Sequence, residues 1–199
     1  MAKDSKTEQH LKDTARRVFL KEGKMLATTQ EIANAAGVNR TLLHYYFRSR
    51  DQLFDTVFLE ALTKLRERIH EVIGSNIVFR DKIENLIEVF YEELTELPYL
   101  ETFIALQLNQ EPDRYQEMFV HLPGGKERLK NFLKEIQQEM EKGTIPEMKP
   151  LNYFINLFAL MAYPYVARPI YKNMFSLTDA AFNKLLPERK EIILSLLFK

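Results

Sequence analysis

Apolar residues recur along this chain at three- and four-residue steps almost throughout, the period of helices that bury one face. Leu11, Ala15, Val18 and Phe19 mark a helix over 7–22 that Gly23 closes, with residues 1–6 as a disordered arm. After Ser49 the longest stripe runs through Leu53, Val57, Phe58, Ala61, Leu62, Leu65, Ile69 and Val72, with Gly74 as its stop. Further helices are expected over 79–97, ended by Pro98, over 99–109, and over 126–142, with Leu129, Phe132, Leu133, Ile136 and Met140 inward. The segment 111–125 reads as a polar loop, a short helix and a Pro-Gly-Gly turn. From Pro150 to Ala162 the chain is apolar nearly all round, and Pro164 is expected to kink or break that helix before a further piece reaching Met174. Thr178 caps a last helical region interrupted at Pro187. No strand pattern, repeat or low-complexity tract is present, so the expected fold is all-α.

Between the first stripe and the longest one lies a different pattern, TTQEIANAAGVNRTLLHYYFRSRDQLF, residues 28–54. Thr28 with Glu31 has capping-box spacing. Gly37 supplies the left-handed turn that brings Val38 back beneath Ile32, and Asn39 caps a helix of about two turns. Val38, Leu43 and Phe47 can point inward, which leaves Arg40, Thr41, His44 and Tyr45 on a polar and aromatic outer face. Two short helices across a glycine turn, the second showing hydrogen-bonding groups outward, have the form of a helix-turn-helix that enters a major groove. The same spacing also suits an ordinary helical hairpin.

The run T-T-x-x-I-A-x-x-A-G-V followed by L-x-Y-Y-F-x-S-R-x-x-L, here Thr28 to Val38 and Leu43 to Leu53, resembles the N-terminal signature of the TetR family of bacterial transcriptional regulators. Two positions depart from that signature. His44 stands where the family usually carries a tyrosine, and Leu42 where it has a small residue or threonine. The DNA-contacting set that results is Thr28, Thr29, Asn39, Arg40, Thr41, Leu42, His44, Tyr45 and Arg50. Arg40 and Thr41 would read bases, while Thr28, His44, Tyr45 and Arg50 would hold backbone phosphates.

Composition sharpens the division. Net charge is zero, yet residues 1–50 hold ten Lys/Arg against five Asp/Glu and the remainder 18 against 23. A basic helix-turn-helix domain over 1–50 on an acidic body over 51–199 is expected. Zero cysteines exclude disulfides and thiolate metal sites. No leader or bilayer-spanning stretch is visible, which suits a cytoplasmic protein.

Glu67 and His70 have the Glu-x-x-His spacing of carboxylate-bridged metal bundles, but the second pair such a site needs is lacking: Glu117 and His121 are four apart. No catalytic group, metal or cofactor is therefore expected, and a helical-bundle enzyme or metal protein is the competing class. The body is rich in aromatics and Met. Phe58, Phe103, Gln107, Phe158, Met161 and Tyr163 are candidates for an apolar effector pocket, or alternatively a dry core. Arg168 could be buried against a carboxylate or extended along the surface. The resemblance implies a ligand-responsive regulator, most often a repressor. Apolar surface on 151–167 and 188–198 points to a homodimer, and so to a roughly palindromic double-stranded operator.

Overall fold

The computed structural model describes residues 2–111 and 124–199, with side chains from residue 4 onward. The expectations for Pro112 to Pro123, which take in Glu117 and His121, lie outside the described residues. Helix α1 spans Ala2–Arg16 and continues as a π-helical turn over Arg17–Lys21. It therefore begins five residues before the expected start at Thr7, and residues 2–6 form no arm. Tyr46 explains part of this, because its hydroxyl donates to the Asp4 carboxylate and ties the first turn down.

Two short helices follow, α2 over Thr29–Ala35 and α3 over Arg40–Tyr46. The long α4, Arg50–Gly74, then packs its first half on α1 and its second half on α5, Phe79–Glu96. Helix α6 is Leu100–Gln110, α7 is Gly125–Glu141, α8 is Pro150–Val166, α9 is Arg168–Met174 and α10 is Asp179–Leu197. One buried apolar cluster runs from Leu11 in α1 to Leu197 in α10.

Neither internal proline ends its helix: α8 continues through Pro164 and α10 through Pro187. Pro164 lacks the N–H that would serve the Leu160 carbonyl four residues back. Arg189 of α10 supplies the missing donor, its Nη2 lying 2.9 Å from that oxygen. Three buried charges are likewise paired. Glu93 accepts from Lys64 and Arg68 of α4 at 2.9 and 2.7 Å, and Lys82 meets Glu135 of α7 at 2.7 Å. Arg168 is buried, with its Nη2 2.9 Å from Asp179, so its partner is a carboxylate of the same chain.

The π-turn positions the head on the body. In it Lys24 N–H donates to the Val18 carbonyl, and the Leu20 carbonyl accepts instead from Tyr99 N–H at 3.0 Å. The Tyr99 ring lies against Gly23, where an added Cβ would sit 2.6 Å from it, and Gly23 has φ +68°. Only glycine meets both demands.

Candidate nucleic-acid interface and effector site

The turn between α2 and α3 is a Schellman motif: Val38 N–H donates to the Ala33 carbonyl at 3.0 Å and Gly37 N–H to Asn34 at 3.1 Å. Gly37 sits at φ +67° with nothing within 4 Å of a would-be Cβ, so backbone conformation alone requires glycine there. Thr28 and Glu31 form the reciprocal capping box, and the hydrogen bonds from Thr28 hold the Glu31 carboxyl below its ordinary range. The Asn39 side chain accepts from Leu42 N–H at 2.7 Å, and Ser49 from Gln52 N–H at 3.0 Å. His10 of α1 reaches the Ala36 carbonyl at 3.0 Å, closing the head from behind.

This frame sorts α3 into two faces. Ile32, Leu43 and Phe47 are buried, whereas Arg40, Thr41 and Tyr45 are exposed, Tyr45 at 73%. Arg40 Nε donates to His44 Nε2 at 3.0 Å, so the two present one joined polar group. Leu42 and His44 are half-buried beside them, and Thr28 and Asn39 are exposed at the two caps. Thr29 is buried at the start of α2. Arg50 is directed elsewhere. Its guanidinium donates to the carbonyls of Met25 and Ala27 and covers the rings of Phe19 and Phe54 at 5.0 and 5.5 Å.

A family profile described as bacterial regulatory proteins of the tetR family matches residues 11–57, the segment from α1 through the start of α4. Residues 11–57 form a TetR-family helix-turn-helix head. The HTH-type transcriptional regulator BetI of Rhizobium meliloti is 35% identical over 81 residues, covering 41% of this chain and 40% of that protein. The HTH-type transcriptional repressor KstR2 of Rhodococcus jostii is 29% identical over 84 residues, covering 42% and 41%. These matches span about two fifths of the curated relatives. Across the full length the likeness is one of fold. The solved ketosteroid regulator KstR2 of Mycobacterium tuberculosis superposes with a TM-score of 0.67 at 16% identity, over 96% of this chain and 95% of that one. The probable transcriptional regulatory protein RHA5900 gives 0.67 at 17% identity, over 96% and 99%. The all-α fold is thus that of TetR-family regulators.

In the body, the proposed effector residues separate. Phe58, Phe103 and Met161 are buried in the core, with Phe54 linking to Phe58 and Phe103 at ring distances of 5.5 and 5.0 Å. Phe158 and Gln107 are half-buried, and Phe158 contacts Phe154 at 4.6 Å. Tyr163 does not converge with them. It lies outward, 59% exposed, and lines a separate hollow of about 270 Å³ with Tyr171, Phe175 and Leu185. A larger groove of about 830 Å³ between α4, α5 and α10 is ringed by charges such as Lys64, Glu92 and Lys190, which does not suit an apolar molecule. Among the described residues, no three of His, Asp and Glu stand close enough to hold a metal ion. His70 instead lies in the field of Arg66 and Arg128, surroundings that repel a cation.

A buried arginine in the α4 stripe is the feature that apolar periodicity passes over. Its signal is legible: Phe58, Leu62, Arg66, His70 and Gly74 follow one another at four-residue steps.

Proposed function

We propose that this chain is a DNA-binding transcriptional regulator, a repressor released by a small, largely apolar or aromatic effector. Residues 1–50 would bind the operator and residues 51–199 would sense and dimerise. The observation that carries this is the outer face of α3, where Arg40, Thr41, His44 and Tyr45 stand exposed or half-exposed on a helix whose inner face is closed into the head. Thr28, Asn39 and Leu42 flank that face. Thr29 and Arg50 support the set from within, holding the frame rather than reaching outward. The apolar outer faces of α8 and α10 support a homodimer on a roughly palindromic operator, working in the cytoplasm.

In the body, Phe58, Phe103, Gln107, Phe158 and Met161 surround the junction of α4, α6 and α8, where an effector would wedge. Effector and operator would then select different head spacings and oppose one another reciprocally. The relative KstR2, named a repressor, supports the negative sign of regulation.

Sequences selected from a genomic DNA library test this in a mobility-shift titration over salt. Specific binding with a steep salt slope is expected, and Arg40→Ala should relax preference at one base pair at a cost of about 1–3 kcal/mol. No sequence-selective binding, or an Arg40→Ala variant with unchanged specificity, would overturn the reading.

A further inference from the structure

The outer face of α3 opens with Arg40, the first residue of the helix, about one turn before His44. A helical side chain leans back over the turn N-terminal to its own Cα, so the His44 ring is carried toward Arg40. The result is a single directed bond, with Arg40 Nε donating to His44 Nε2 at 3.0 Å. Accepting there requires a lone pair on Nε2, which puts the ring proton on Nδ1. Nε2 is the outer nitrogen of the imidazole. While it accepts from Arg40 it has no hydrogen to give a phosphate oxygen, so the phosphate contact expected of His44 is closed at the atom with the greatest reach.

The same bond changes what Arg40 can do. A guanidinium can address guanine along its side edge, which carries Nε, or along its end edge, which carries Nη1 and Nη2. With Nε held by His44 the side edge is blocked, and the end edge that remains matches the O6 and N7 acceptors of guanine in the major groove. Arg40 is exposed, and its long chain would otherwise sample many rotamers, whereas His44 is half-buried and its ring has few torsions. Tying the flexible chain to the stiffer ring removes ordering cost before DNA arrives. The N-terminal residues of a recognition helix are also the ones that meet base edges.

We propose that His44 is a positioning residue for base readout: it holds Arg40 by Nε, presents the Nη1–Nη2 edge to a guanine, and so raises preference at one base pair rather than affinity for DNA in general. This rests on the DNA-binding reading of α3 and gives that face its means of selecting a base.

Binding of the full chain to its selected operator, and to operators changed at one base pair at a time, tests it. The ratio of the two affinities is the readout, because phosphate contacts carry no sequence information and cancel in it. Arg40→Ala marks the base pair at which the ratio collapses. His44→Ala should lower the ratio at that same pair by roughly threefold to tenfold, the range for losing one pre-ordered side chain, and should change it no further in the Arg40→Ala background. His44→Gln keeps an acceptor oxygen and should hold the ratio to within about twofold of wild type. His44→Lys offers no acceptor and adds a cation, so it should lose the ratio while binding all sequences more tightly. Gln and Lys favour helix more than His does, so α3 is retained in both. A ratio unchanged in His44→Ala beside one lost in Arg40→Ala, a ratio kept in His44→Lys, or one not held in His44→Gln overturns the proposal and leaves the DNA-binding reading standing. An Arg40→Ala variant with an unchanged ratio removes both.

Discussion

Arg50 directs its guanidinium into the head, donating to the Met25 and Ala27 carbonyls while lying over Phe19 and Phe54. Its place after the Ser49 cap predicts a phosphate contact, but the unbound structure gives it the task of holding the loop before α2. Arg50→Ala should therefore lower stability by about 1–3 kcal/mol in urea unfolding, and Arg50→Lys should not restore it, because an ammonium cannot span both carbonyls and stack. DNA affinity should fall about equally for all sequences. Glu101 of α6 gives a second prediction at this scale. Desolvation raises its carboxyl pKa to about 7. The folded state then holds a proton that the unfolded chain releases above about 4.5, so this contribution to stability is complete below pH 4.5 and lost as pH rises through 7. Its size is at most about 3 kcal/mol, and less to the extent that the half-buried side chain reaches water. Unfolding at pH 5 and pH 8 should show the decline, and Glu101→Gln should flatten it.

At the scale of elements, the bond between Arg189 and the Leu160 carbonyl explains how α8 stays helical past Pro164. A proline opens one acceptor, and a side chain of the neighbouring helix closes it, so the sequence break becomes a tie between α8 and α10. Arg189→Met should destabilise the wild-type chain by about 1 kcal/mol or more. It should cost clearly less beside Pro164→Ala, where the helix supplies its own N–H, and a double-mutant cycle by urea unfolding would read the difference as coupling. Additive effects would mean that the contact does nothing for the helix. The π-turn of α1 is a comparable device: one displaced hydrogen bond frees the Leu20 carbonyl for Tyr99 and fastens head to body.

Across the whole molecule, α8 and α10 expose apolar side chains at helical spacing: Leu151, Ile155 and Tyr163 on one, Leu185, Ile192 and Leu196 on the other. Leu151 at 56% and Leu196 at 58% are exposures that a lone chain has no reason to keep in register on adjoining helices. Paired with their copies, these faces would make a four-helix interface. Light scattering at micromolar concentration should give a dimer, Leu196→Glu a monomer, and the monomer should bind palindromic DNA far more weakly than the dimer because only one half-site is held. Motion at the sensor would reach the DNA through α4, whose first half is fixed to α1 by Glu60 with Lys12 and Arg16 at 2.6 and 2.7 Å and whose second half is fixed to α5 by Glu93.

What the sequence determined is whatever local physics encodes: the all-α class, the capping box at Thr28, the left-handed turn at Gly37 and the division of α3 into two faces. Each depends on neighbours within four residues, so periodicity and cap spacing suffice to read it. Tertiary structure decided what depends on partners distant in the chain. Pro164 remains helical because Arg189, 25 positions on, supplies a donor, and α1 starts at Ala2 with Tyr46, 42 positions on, donating to Asp4. Tyr163 and Met161 have the same apolar character in sequence, yet one faces outward and the other is fully buried, because the placement of α10 and α6 around α8 sets which side is covered. Arg66 sits beside Leu65 in the α4 stripe, and it is buried because other helices pack over that turn.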